Sequence, residues 1–391
     1  VGKLPAYVGP AAFGLKMGVI VPGCNLLEMV TDVVQDCERD QLLDDGDVLC
    51  VTESVVARAQ DNYVTVSEVA QEIRQKLQIG PDAKIGVLFP IVSRNRFSMV
   101  LEAIASAVPQ GEVVVQLSWP RDEVGNQVIT EEFASSLGKV YTDAITPEEL
   151  AGHCFKHPIT DVDYIDLYRQ TIENQGARAT VVLSNTPEYI LNLSPDSVII
   201  GDIHTRKKTR QALEGKVNAI SLVELCSSPL KQAWSEWGLL GSNMSTGSRL
   251  KLPPRDASAF AQDVQRRVAE LTDKEVEVII YGDGAYKDPT TQIYELADPQ
   301  PVFGATQGFT NAMREGFKYK YLADLYHQQG KSIGEIEDLL KEKGAINSQS
   351  QVEAEGTTPR RMEDVIASLA DLVSGSADAG TPLILVKGFF G

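Results

Sequence analysis

Between residues 81 and 221, short apolar runs alternate with amphipathic ones at a spacing that leaves few folds open. Lys84 to Phe89, Val113 to Leu117, Thr180 to Leu183, Ser197 to Ile200 and Ala219 to Ser221 read as strands. Helical patterns run from Phe97 to Ala107, from Tyr164 to Asn174 and near Thr209 to Leu213. Parallel neighbours need a long crossover, which a helix supplies, so this alternation predicts a three-layer α/β unit with some parallel strands.

The flanking sequence has a different texture. Val19-Ile20-Val21 reads as a short strand before a Pro22-Gly23 turn, Leu26 to Leu43 as a helix, and Asp47 to Val51 as a strand set off by Asp44-Asp45-Gly46. Val66, Val69, Ile73 and Leu77 then recur at helical spacing. Beyond Trp237, a helix from Ala257 to Leu271 enters through Pro253-Pro254-Arg255-Asp256, and a strand from Val276 to Tyr281 ends in Gly282-Asp283-Gly284. Asn311 to Gln329 reads as a polar helix, Asn347 to Thr358 as a polar loop, Met362 to Val373 as a helix and Pro382 to Val386 as a closing strand.

Charge limits the partners. The 391 residues carry 54 acidic and 36 basic side chains, a formal charge of −18. Such a chain repels nucleic acid unless it has a strong basic patch, and its longest basic run, Arg206-Lys207-Lys208, is too short to make one. Any anionic ligand must be met by local groups or by metal ions. Five scattered cysteines with no CxxC pair argue for a reducing compartment, and no run approaches 18 apolar residues. The chain therefore reads as soluble, untargeted and cytoplasmic, with no membrane partner. It starts at Val1, so a trimmed leader stays open.

Several clusters have the residue types that chemistry needs. Gly330-Lys331-Ser332 looks like the end of a phosphate loop, but Leu325 stands where that loop needs glycine, and Ser332 with Glu335 makes a capping box instead. His153 and His157 have metal-ligand spacing, but Pro158 comes next and no third ligand is near. The strand ending at Asp283 delivers a carboxylate between two glycines, where a phosphate and its metal can approach; the bland alternative is an Asp-Gly turn. Gly241-Ser242-Asn243 and Ser374-Gly375-Ser376 offer backbone N–H groups that suit phosphate oxygens, although most such clusters are turns.

Taken in order, four segments resemble the coenzyme F-420 gamma-glutamyl ligase family. Asp45-Gly46-Asp47-Val48-Leu49-Cys50-Val51-Thr52 and the adjoining Glu53 to Ala59 are similar to a strand and phosphate-contacting segment of that family, with Arg58 where its Lys is usual. Gly241-Ser242-Asn243-Met244 and Leu252 to Ala259 are similar to its Ser-Asn element and next helix, with Leu240 in place of a metal-binding Asp. The strand into Asp283 and the C-terminal segments Met362 to Leu372 and Thr381 to Phe389 complete the resemblance. It covers about residues 15–80 and 240–391.

The resemblance implies an α+β/α/β fold: a mixed-sheet core of intertwined-dimer type from residues 1–80 and 240–391, with residues 81–239 as an inserted three-layer α/β unit. It implies GTP- or ATP-driven amide formation between a small-molecule carboxylate acceptor and L-glutamate or a similar amino acid, through an acyl phosphate. It also implies a homodimer and a divalent cofactor, Mg²⁺ or Mn²⁺. On this reading Asp283 and Arg58 are catalytic. Ser54, Arg58, Ser242, Asn243, Gly375 and Ser376 bind nucleotide, and Asp283 with Asp288 holds metal. Asp288 or Asp256 could replace the carboxylate missing at Leu240.

In the insert, Arg94 and Arg96 come just after a strand and open a helix, so they could grip the acceptor or the carboxylates of glutamate; a solvated helix start is the plainer reading. Trp119-Pro120-Arg121-Asp122 is similar in kind. The competing view of the whole chain is a non-catalytic small-ligand-binding or regulatory protein on the same scaffold, its metal site lost with the Asp at position 240.

Overall fold

The computed structural model describes residues 7–283, 286–287, 294–295, 298–314, 318–344, 360–374 and 380–390. The first part of the chain holds β1 (Ala11–Leu15), α1 (Leu26–Arg39), β2 (Val48–Thr52), α2 (Glu53–Ala59), β3 (Tyr63–Thr65) and α3 (Val66–Leu77). Next come β4 (Lys84–Leu88), α4 (Ser98–Ala107), β5 (Glu112–Leu117), α5 (Tyr164–Glu173), β6 (Arg178–Leu183), β7 (Ser197–Ile200), α6 (Arg206–Leu213) and β8 (Asn218–Ser221). The last part holds β9 (Asn243–Met244), β10 (Arg249–Lys251), α7 (Ala257–Thr272), β11 (Glu277–Tyr281), β12 (Val302–Ala305), α8 (Tyr319–Gln328), α9 (Ile333–Gly344), α10 (Met362–Ser374) and β13 (Leu383–Lys387).

The first and last parts build one mixed sheet in the order β1-β13-β2-β11-β12. Only β2 and β11 are parallel; the other pairings are antiparallel. Alternation along the strands sorts their side chains to two faces. Leu49, Val51, Leu383 and Leu385 pack with Val30 and Val34 of α1 and Ala261 and Val264 of α7. Val48, Cys50, Ile384 and Val386 pack with Ile366 and Ala370 of α10. Both faces are covered, which is why these strands are apolar throughout.

The alternating stretch forms a second sheet, β6-β5-β4-β7-β8, parallel in every pairing. Its chain order is 3-2-1-4-5, so the winding reverses between β4 and β7. Ile85, Val87, Val113 and Val115 pack with α3, α4 and α5 on one face, while Leu88, Val114, Val198 and Ile200 meet Leu213 of α6 on the other. That core extends outside residues 81–239: Val69, Ile73 and Leu77 of α3 join it, as do Leu250 and Leu252. A small antiparallel sheet, β3-β10-β9, sends Leu250 into that core and Lys251 to Glu53 at the end of β2.

Several sequence expectations shift. Val19 and Val21 lie exposed outside any strand, and the first strand is β1, whose Ala- and Gly-rich run reads weakly until β13 pairs with it. The helix expected from Asn311 begins at Tyr319, because Met313–Arg314 pairs with Arg360–Arg361 as a short strand. Ser332 and Glu335 make the capping box. His153 packs edge-on against Phe133, and His157 accepts N–H groups from Ile159 and Thr160. The five cysteines are free thiols. Among the described residues, no helix is long and apolar enough to cross a membrane.

The closing strand is fastened by charge. Lys387 is buried and bonded to the buried carboxylate of Asp47, with Asp44 at 2.9 Å. Replacing it by Met leaves Asp47 buried without its cation, so Lys387→Met should cost about 3–5 kcal/mol, read as a lower urea midpoint at unchanged slope.

Candidate active site at the end of the mixed sheet

The parallel pairing of β2 with β11 sets Thr52 beside Tyr281. The residues that leave these strands, Glu53 and Gly282-Asp283, therefore emerge at the same sheet edge. β13 starts there too, with the Thr52 N–H donating to the Pro382 carbonyl at 3.0 Å. A cavity of about 770 Å³ opens at this edge. Glu53, Ser54, Arg58, Arg96, Asn243 and Asp283 line it, and the exposed Val19 segment forms part of its wall.

Charges of both signs converge here. Arg96 donates from Nη1 to Asp298 Oδ1 at 2.8 Å and from Nη2 to Asp283 Oδ2. The backbone N–H of Asp283 donates to Asp298 Oδ2 at 2.8 Å. Gly282 makes this approach possible, since a Cβ there would fall 2.5 Å from Asp298 Oδ2. Lys251 donates at 3.0 Å to both Glu53 Oε1 and Ser54 Oγ, while Glu53 Oε2 is buried without a partner. Burial raises the pKa of Glu53, with Lys251 opposing the shift. The carboxyl of Asp283 is pushed up to about 7, by burial first and then by the like charge of Asp298, against the pull of Arg96.

Arg96 reaches across from the parallel sheet, in the turn between β4 and α4. Tyr168 on α5 accepts from the Ser93 N–H at 2.9 Å and donates to the Ile91 carbonyl at 2.6 Å. The buried Asp122 accepts from the Val92 N–H at 2.8 Å and from three donors of its own loop. Burial lifts the Asp122 carboxyl to about 7. The Met244 N–H closes the far side on the Asn95 carbonyl at 2.7 Å. The Trp119–Asp122 segment thus braces the turn that carries Arg96.

Other expected site residues fall elsewhere. Arg94 is exposed and does not line the cavity. Ser242 is buried with its hydroxyl unpartnered, beside Arg96 in a separate apolar space of about 20 Å³. Leu240 lines that space too, inside the apolar core. Asp256 is exposed at the start of α7, away from the cavity lining. Asp288, Gly375 and Ser376 lie outside the described residues, as does the whole of the Asn347–Thr358 loop. The second carboxylate at Asp283 is Asp298, which sits against Gly241, the neighbour of Leu240. Sequence reading assigned no role to Asp298, Lys251 or Glu53. Glu53 alone left a trace, as the first residue past an apolar strand.

Among the described residues, the donor set does not fit a protein-held metal. Among the described residues, no three His, Cys, Asp or Glu side chains stand close enough to share an ion. Asp298 has both oxygens occupied, one by Arg96 and one by a backbone N–H.

The family described as F420-0:gamma-glutamyl ligase matches residues 14–388, nearly the whole chain. The chain belongs to this family. The match takes in both sheets and every cavity residue named above, so the family supports an enzyme, a ligase, in which these elements work together. No curated protein matches significantly in sequence.

As pH falls through about 7, Asp283 gains a proton and the cavity loses a negative charge. Inorganic pyrophosphate should then bind severalfold more tightly at about pH 6 than at about pH 8, and Asp283→Asn should flatten that profile in a calorimetric titration. Because the fold holds this proton more tightly than the unfolded chain does, the stability contribution of Asp283 declines from the ordinary carboxylate range up to about pH 7.

Proposed function

We propose that the chain is a nucleotide-dependent carboxylate-amine ligase that joins L-glutamate, or a similar amino acid, to a small carboxylate acceptor. The single observation that carries the reading is that the family match spans both sides of a cavity where Glu53, Asp283, Arg58 and Arg96 converge.

A carboxylate is a poor electrophile, so it is first phosphorylated. An acceptor carboxylate oxygen attacks the γ-phosphorus of GTP or ATP, the bond from that phosphorus to the bridging oxygen breaks, and nucleoside diphosphate leaves. The glutamate amine then attacks the acyl carbon, the carbon–oxygen bond to phosphate breaks, and inorganic phosphate departs. Arg58 and Asn243 orient the phosphates, and most of the rate gain is positioning and charge balance. Glu53 takes the proton that the amine nitrogen loses, because its raised pKa and unpartnered Oε2 suit a buried proton acceptor. A divalent ion enters this reading only as the counter-ion the nucleotide brings with it. The working unit on this reading is a homodimer, in which the α/β unit of residues 81–239, sharing its core with α3, brings Arg96 to the site.

One observation favours the non-catalytic alternative: Asp283 and Asp298 already have a cation between them. Phosphate release separates the two readings. Purified protein with GTP or ATP, Mg²⁺, L-glutamate and a panel of small carboxylic acids should release phosphate only when acid and amine are both present. Nucleotide that never binds in any buffer would sink the ligase reading. Arg58→Ala should weaken nucleotide binding about ten- to a hundredfold, the worth of a charge-assisted hydrogen bond, while leaving the thermal midpoint nearly unchanged.

A further inference from the structure

Asp283 and Asp298 form the kind of carboxylate pair that draws a divalent ion, yet the space between them is filled from within the chain. We infer that Arg96 is the resident cation of this cavity: it takes the position an ion would occupy, so the protein alone holds no metal there and accepts a phosphate-bearing ligand with whatever ion that ligand carries. The cation content is independent of the ligase reading; only the nature of the phosphate ligand rests on it.

The geometry supports an occupant that stays. The guanidinium bonds both carboxylates, and the Asp298 side chain is only 2% exposed, so the contact is shielded from screening by salt. Arginine cannot lose its proton at any pH the protein meets, so the positive charge is permanent. The Arg96 backbone N–H is itself bonded to Ser93 Oγ at 3.2 Å, and Tyr168, Asp122 and Met244 hold the rest of the turn. Behind the guanidinium lie Ile91, Phe97, Val100 and Leu240 around a space of about 20 Å³, room for about one water.

The position of Leu240 is consistent with this assignment. A carboxylate there would sit in the apolar core beside Leu239, and the side chain that faces Arg96 from that region is apolar instead. Asp298 supplies the second carboxylate and is matched to a guanidinium. Arg96 also ties the parallel sheet to the mixed sheet, because its own turn belongs to one and both its partners to the other.

Manganese binding without nucleotide tests the assignment. Wild-type protein, stripped with EDTA and titrated with Mn²⁺ under electron paramagnetic resonance, should leave the free Mn²⁺ signal undiminished up to about millimolar metal. Arg96→Met exposes two carboxylates that lack a cation and should gain one Mn²⁺ per chain, at least about tenfold tighter than wild type. Adding Asp298→Asn should abolish that gain. A wild-type chain that binds one Mn²⁺, and loses it in Asp283→Asn, overturns the inference, and this comparison does not depend on Arg96→Met folding. A folded Arg96→Met that gains no Mn²⁺ overturns it as well, since Arg96 would then not be what excludes the ion. Nucleotide titration of wild type in EDTA is read separately: its failure together with failure in Mg²⁺ counts against the ligase reading and leaves the Mn²⁺ result standing.

Discussion

Three carboxylates, Glu53, Asp283 and Asp298, are crowded at one sheet edge where burial and mutual repulsion work against their ionised forms. The arrangement depends on two cations that reach them from other elements. Lys251 meets Glu53 from the small central sheet, and Arg96 meets the two aspartates from the parallel sheet. Burying charges is tolerable only when they are paired and hydrogen-bonded, so the ion network constrains how the sheets sit against each other as well as what the cavity can bind.

The sheet topology explains why this edge is the place. β2 and β11 are neighbours and parallel, so their C-terminal ends coincide, and the residues leaving each strand are delivered to the same spot. In the parallel sheet, β4 lies at the reversal of winding, where the turn after the strand is free of a crossover on one side. Arg96 comes from that turn. The cavity thus takes its residues from the carboxyl ends of parallel strands in both sheets.

Much of the fold was legible. Ser197–Ile200 is the expected strand, Val66 to Leu77 the expected helix, and the alternation from Lys84 to Ser221 does make a parallel sheet with helices on both faces. These elements carry their own periodicity, which tertiary contacts only reinforce. β1 was not legible, because Ala11, Ala12 and Gly14 have little apolar signal and the strand depends on pairing with β13. Val19-Ile20-Val21 misled for the opposite reason: it is apolar but lines a cavity, so it carries the composition of a strand without the ladder.

The site divides along the same line. Sequence by itself determined which residue types stand at the ends of strands, and order and spacing were enough to place Arg58, Asn243 and Asp283 among candidate ligand contacts. The local signal is strongest for Asp283 at the end of an apolar strand; Arg58 and Asn243 entered through the resemblance to the family. Only the tertiary structure decided that Asp298 meets Asp283, that Asp256 stays at the exposed start of α7, that Leu240 faces an apolar core, and that Arg96 turns toward the protein's own aspartates. Arg96 stands 187 and 202 residues from its two partners. No local pattern encodes a pairing at that separation; it exists because the fold brings the turn after β4 to the end of β11, where buried charges must find one another.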